Sequence, residues 1–257
     1  MTSLTLRDLG FLAGRPAVSF TPADVNPYAW LDASDGLVTS GGNISSWTIK
    51  SGAFGGSLAR SNPSSNPGIT VGSLNNKSVA VFPGSGGFSY PSAYGWGLKA
   101  SLTVYAVVSV NNYLSNYPGQ GVLHSGCAYG NYIGFGGGTV EFGAAGYSGY
   151  ASTSMPSAGP HIIVCGRSNN TTGFAGINGN PIVTNTSLPA NAGANCSLLG
   201  YHSDGGALNG YVAELIWIQA YDAGAATSKI TGYLAHKWGL QGNLPANHPY
   251  KTSPPLS

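Results

Sequence analysis

The sequence predicts an all-β sandwich closed by one short C-terminal helix, and three observations carry that prediction. Apolar runs rich in β-branched and aromatic residues recur between short spacers of Gly, Ser, Asn and Pro, the pattern of many strands joined by tight turns. Helical periodicity is confined to one stretch near the C-terminus, from about Ala223 to Trp238. Charged residues make up only 7% of the 257-residue chain, whereas glycine reaches 40 copies, proline 16 and tyrosine 15. Glycine and asparagine supply the positive φ angles of tight turns. A hydrophobic content of 42% with so little charge is the opposite of a disordered composition.

In chain order, residues 1–26 differ from the rest. TLRDLGFLAGRP and FTPADVNP carry prolines at 16, 22 and 27 and have no partner hairpin, so the segment reads as an N-terminal arm. Leu6, Leu9, Phe11 and Leu12 are its candidate anchoring side chains. Residues 27–257 form the sandwich. SLTVYAVVSV (101–110) is a nearly continuous apolar run, as expected of a strand central in a sheet, and HIIVCGR (161–167) is another. GFGGGTVEFGAAGYSGY (134–150) alternates apolar residues with glycines and predicts short strands with bulges. TGFAGINGNPIV (172–183) places Asn178-Gly179 between two apolar segments, a strong hairpin signal. GYVAELIWIQAY (210–221) is a long aromatic-rich strand. In the helix over 223–238, Ile230, Leu234 and Trp238 share one face, Asp222 is the expected N-cap, and Gly239 stands where a C-cap glycine belongs.

Composition also excludes function classes. A net charge of +2 without a Lys/Arg cluster gives no electrostatic footprint for nucleic acid. No apolar run reaches the length of a transmembrane helix. Arg7, Asp8 and Arg15 interrupt the N-terminus and spoil it as a secretory signal. Cys127, Cys165 and Cys196 are odd in number and far apart, so they read as buried thiols of a chain made in a reducing cytoplasm.

Taken in order, AWLDASDGLVTSGGNISSWTIKSG (29–52), SVAVFPGSGGFSY (78–90), SLTVYAVVSV, the INGNPIV hairpin, GYVAELIWIQAYDAG and GYLAHKWGLQGNLPANHPYKTSPP resemble the concanavalin A-like, laminin-G-like jelly-roll domains of phage and bacterial surface proteins. The resemblance runs from about residue 28 to the end. It implies a two-sheet antiparallel jelly-roll sandwich whose members most often bind carbohydrate or protein surfaces. The same sandwich also hosts glucanases, so the fold leaves the function open.

A glycosidase needs two carboxyl groups about 5–5.5 Å apart (retaining) or about 6.5–9.5 Å apart (inverting). The chain has eight acidic residues and no E-x-D-x-E array; a pair such as Glu141 with Glu214 would have to assemble from separate strands. Glu214 reads instead as a buried acid bonded to backbone, Lys237 or His236. No nucleophile elbow is present, and His124 and His161 read as sheet histidines. For calcium, Asp204 and Asn209 in YHSDGGALNG are the candidate ligands, and Asp32 and Asp35 form a second acidic loop. Asx turns are the preferred reading of both, and no cofactor is expected. His236 and His248 read as parts of a structural tail, since the segment lacks a zinc-ligand cluster.

Carbohydrate contact is the best supported site chemistry, because sugars are held by aromatic faces flanked by amides and backbone groups. FSYPSAYGWG, NNYLSNYPGQG and CAYGNYIGF offer Tyr94, Trp96, Tyr113, Tyr117, Tyr129 and Tyr132; the same residues suit a protein interface. The expectation is therefore a non-enzymatic phage virion surface protein, a capsid decoration, head-fibre or compact adhesion module. Its arm would bind a major capsid or tail protein, and its sandwich a host surface glycan. Decoration and fibre proteins are often trimers, which makes a homo-oligomer the expected state. The alternatives are a receptor-binding tail fibre or tail-tip protein, a bacterial surface lectin, and a glycoside hydrolase on the same fold.

Overall fold

A computed structural model describes residues 19–52, 55–61, 68–89, 99–111, 120–124, 131–144, 149–155, 158–190, 198–200, 206–222 and 224–257. They form two packed antiparallel sheets, a one-turn helix α1 (Ala33–Gly36) and one long helix. The first sheet runs in the order β5 (Thr70–Leu74), β6 (Lys77–Pro83), β17 (Asn209–Ile218), β8 (Leu102–Val110), β13 (Gly159–Arg167), β14 (Gly173–Ile177) and β15 (Val183–Asn185). The second runs β2 (Leu37–Ser40), β3 (Asn43–Ser51), β4 (Gly56–Ser61), β7 (Gly87–Ser89), β16 (Leu198–Leu199), β9 (Gln120–His124), β10 (Asn131–Gly136), β11 (Thr139–Ala144) and β12 (Tyr150–Ser154). β1 (Ala29–Asp32) is the corner: it pairs with the second half of β17 and with the end of β3, so the ladder passes from one sheet to the other.

The predicted sandwich is observed. β8 lies between β13 and β17 with all nine residues buried, because both faces of its sheet are covered. Leu102, Val104, Ala106, Val108 and Val110 point into the core between the sheets, where Trp47, Leu58, Phe88, Phe135 and Phe142 meet them from the second sheet. Tyr105 and Val107 point the other way, under helix α2 (Ala225–Trp238), where Ile230, Leu234, Ala235 and Trp238 form its buried face. At roughly 1.5–3 kcal/mol for each large apolar side chain buried, the two layers are the main stabilising term.

Turn chemistry follows the sequence. Asn178 and Gly179 take positive φ values of 54° and 73°, and Asn180 N–H donates to Ile177 O at 3.0 Å, closing the expected tight turn. The Asn178 side chain then ties the turn to β13, accepting from Ile162 N–H at 2.9 Å and pairing with Nδ1 of buried His161 at 3.0 Å. Gly137 and Gly138 make a second positive-φ turn between β10 and β11. Gly239 ends α2 in the left-handed region at φ 69°. The N-cap differs from the prediction: it is Gly224, and α2 begins at Ala225. The Asp222 carboxylate is drawn instead to the Tyr105 hydroxyl, at 2.7 Å, by a partner the helix pattern does not reveal.

The end of the predicted arm packs on the sandwich. Ser19 bridges Leu256, Phe20 N–H donates to Pro255 O at 3.1 Å, and the buried Phe20 ring sits edge-on to Tyr233. Leu6, Leu9, Phe11 and Leu12 lie outside the described residues.

Candidate functional site

Among the described residues the two buried acids, Asp32 and Glu214, meet under α2, and a bulge brings Glu214 there. β17 carries one extra residue between Val212 and Glu214 relative to β8. Val212, Leu215 and Trp217 enter the inter-sheet core, whereas Ala213 and Ile216 face the helix. Strict alternation from Val212 would send Glu214 inward; the bulge turns it to the helix side. There it is fully buried and accepts from Trp30 Nε1 at 2.7 Å, Trp238 Nε1 at 2.7 Å and the Tyr233 hydroxyl at 3.1 Å, with Lys237 Nζ at 2.8 Å. Asp32, its cross-strand neighbour, is 2% exposed and binds Lys237 at 2.5 Å and Lys50 at 3.0 Å. Ser34 N–H and Oγ–H donate to the other Asp32 oxygen at 3.0 and 2.7 Å.

Burial raises the Glu214 carboxyl above the ordinary glutamate value, against the opposing pull of Lys237 and Trp238. Burial would also raise Asp32, but Lys237, Ser34 and Lys50 outweigh it and hold this carboxyl low. Lys237 pairs with both carboxylates, so neither stands free as the nucleophile or the water-activating base that a glycosidase needs. Glu141 does not complete a pair with Glu214. Its neighbours Val140 and Phe142 enter the inter-sheet core, which puts Glu141 on the outer face of the second sheet, while Glu214 lies on the outer face of the first. The Asp32–Ser34 contact is the predicted Asx turn.

The tail histidines are also committed. His236 Nε2 meets Tyr250 O at 2.9 Å, and His248 Nδ1 accepts from Tyr250 N–H at 3.2 Å. Among the described residues no group of three or more His, Cys, Asp or Glu side chains is placed to hold a metal. Cys165 is a free buried thiol whose pKa burial pushes up.

Of the predicted contact residues, Tyr94, Trp96, Tyr113, Tyr117 and Tyr129 lie outside the described residues, as does the calcium candidate Asp204. Tyr132 is fully buried on β10, edge-on to Tyr150, so its ring is not offered to a ligand as the sequence suggested. Asn209 Oδ1 accepts from Asn111 Nδ2 at 3.0 Å. Of the described residues that border the aromatic segments, Ser89, Leu102, His124 and Asn131 lie at the end where β8 begins, and Asn111 and Gln120 at the opposite end, where β17 begins.

At the first of these ends is an open cleft of about 450 Å³ that the sequence reading missed. Asn26, Tyr28, Gly52, Gln219 and Ala220 line it. Tyr28 packs edge-on against Trp217 with ring centroids 4.3 Å apart, and Lys99 Nζ stands 5.3 Å from the Tyr28 centroid. Lys99 O in turn accepts from Asn131 Nδ2 at 3.1 Å, which joins the cleft to the start of β10. Gly52 is required: at φ 139°, a Cβ there would lie 2.1 Å from Tyr28 O. Partial burial raises the Tyr28 phenol, so it stays a neutral donor and acceptor. One aromatic ring and two amide side chains around an open cleft are groups suited to a polyhydroxylated ligand.

No family model matches the chain, and no curated protein sequence matches it. Solved structures do. Domain 4 of AbnA, a GH43 extracellular arabinanase from Geobacillus stearothermophilus solved with arabinotriose, superposes with a TM-score of 0.53 at 18% identity, over 75% of this chain and 91% of that one. Each likeness is one of fold. The W1252A mutant of HCR D/C VPI 5995 gives 0.54 at 10% identity over 79% of this chain, and botulinum neurotoxin type C gives 0.50 at 11% over 83%. The present sandwich spans about half the length of those two chains, 50% and 53%.

A larger groove of about 530 Å³ runs between the Asn178–Gly179 turn, the start of α2 and the tail. Its Thr227 hydroxyl is engaged by Tyr105 and Asp222, and Asn180 Nδ2 by Ile177 O; Ser228, Asn247 and His248 also line it.

Proposed function

We propose that this chain is a non-enzymatic, carbohydrate-binding β-sandwich module that works at the surface of a phage particle. It would act as a capsid decoration, head-fibre or compact adhesion module, held to its particle through the chain ahead of Phe20. The Tyr28 cleft carries the binding half of this reading, because it combines an aromatic ring with the amides of Asn26 and Gln219. The commitment of Asp32 and Glu214 to Lys237 supports the non-enzymatic half. The fold likeness favours the same class: the arabinanase domain was solved with arabinotriose, and the botulinum type C structure concerns cell entry through two ganglioside molecules.

The test is a glycan array followed by calorimetric titration with arabinotriose and ganglioside oligosaccharides. Binding that Tyr28→Ala weakens by tenfold or more, about 1.4 kcal/mol, supports the reading. An array with no binder removes the carbohydrate function, and release of reducing sugar from any array glycan removes the non-enzymatic one.

A further inference from the structure

The contacts around Lys237 are those of a reaction centre as much as of an ion pair. We propose that Lys237 and Asp32 condense, without a second protein, into an intramolecular isopeptide bond, with Glu214 as the proton carrier and Ser34 as the oxyanion holder.

The geometry has each part. Lys237 Nζ lies 2.5 Å from Asp32 Oδ2 and 2.8 Å from Glu214 Oε2, so nucleophile, electrophile and base converge on one atom. Asp32 Oδ1 already receives two hydrogen bonds, from Ser34 N–H at 3.0 Å and Ser34 Oγ–H at 2.7 Å, the donors a tetrahedral oxyanion needs. Lys50 Nζ, 3.0 Å from Oδ2, polarises the oxygen that must leave. The Trp30, Tyr233 and Trp238 rings surround Lys237 Nζ at 6.0, 5.5 and 5.3 Å. In this largely buried site the Lys237 ammonium and the Asp32 carboxylate carry a desolvation cost, which a neutral amide between them removes. Amide formation is unfavourable between separate molecules in water, but groups held in contact gain effective molarities of roughly 10⁵–10⁸ M.

The step balances. Lys237 gives a proton to Glu214, and the free amine attacks Asp32 Cγ while the carbonyl electrons move to Oδ1, held by Ser34. The C–Oδ2 bond then breaks as Oδ1 re-forms the carbonyl. Of the three ammonium hydrogens, one stays on the amide and two leave with Oδ2 as water, one of them by way of Glu214. The positive and negative charges cancel, and nothing is oxidised or reduced. The raised Glu214 carboxyl suits it to this carrier role. The product would join β1 to α2, 205 residues apart along the chain, and lock the helix over the sandwich.

The test is the intact mass of the purified full chain under denaturing conditions, referenced to the Lys237→Arg variant, followed by peptide mapping. Wild type is expected to be lighter than its sequence mass by one water, with a branched peptide joining Lys237 to Asp32; Lys237→Arg should show its full mass. Glu214→Gln should show full or largely unreacted mass with a folded circular dichroism spectrum. Asp32→Asn, which keeps the electrophile, should lose one ammonia instead of water. A wild-type mass equal to the sequence mass overturns the proposal, and so does a cross-link mapped to Lys50.

Discussion

The face under α2 and the cleft at Tyr28 treat polar groups in opposite ways. Under the helix, Glu214, Asp32 and Lys237 saturate one another with help from Trp30, Tyr233, Trp238 and Ser34. At the cleft, Asn26 and Gln219 line open space beside a ring braced by Trp217. A chain with only eight acidic residues thus uses two of them to fasten its C-terminal helix, and meets its surroundings with amides, hydroxyls and rings. The first region holds the fold, and the second is available for a ligand.

That contrast breaks most visibly at Glu214. Glu214→Ala leaves Lys237 and two indole N–H groups without their buried acceptor, and removal of one partner from a buried pair is expected to cost about 3–5 kcal/mol. Denaturant unfolding checks this, and binding by the folded fraction should be unchanged. Ile230→Ala, which deletes apolar contacts of α2 without touching the ion pairs, should lose about 2–5 kcal/mol by the same measurement. Gly52→Ala stands between the regions. Its Cβ collides with Tyr28 O at a positive φ, so a loss of about 1–3 kcal/mol should accompany weaker glycan binding. The smallest effect is in the tail. Burial, aided by Lys251, holds His248 below its ordinary pKa of 6.5. The unfolded chain therefore binds the proton more readily, and stability should decline as pH falls below about 6.5. His248→Gln should flatten that slope in melting curves between pH 7 and pH 5.

The strands, the Asn178–Gly179 turn and the stripe Ile230–Leu234–Trp238 were legible because each is a local pattern. β8 announced its two covered faces by having no polar alternation. Glu214 was legible as a buried acid with Lys237 as partner, since a carboxylate inside an aromatic strand needs a cation. Its second neighbour Asp32 was not, because the bulge at Ala213 and the β1–β17 register decide it, and neither leaves a sequence signal. The N-cap was misplaced for the same reason: Tyr105, from a distant strand, takes the Asp222 carboxylate. Tyr132 looked like a loop aromatic, but β10 begins at Asn131 and packs it inside. The Tyr28 cleft joins residues from three distant segments, so no window of sequence contains it.

The most direct measurement compares Tyr28→Ala with Glu214→Gln in two assays, denaturant midpoint and titration with the glycan that wild type binds. The division of labour between the two regions expects Tyr28→Ala to lose binding at least tenfold, with a smaller loss of midpoint than Glu214→Gln. Glu214→Gln should show the reverse, a lowered midpoint with wild-type affinity. Binding lost in Glu214→Gln and kept in Tyr28→Ala would contradict it, and would move the site from the open end to the face beneath the helix.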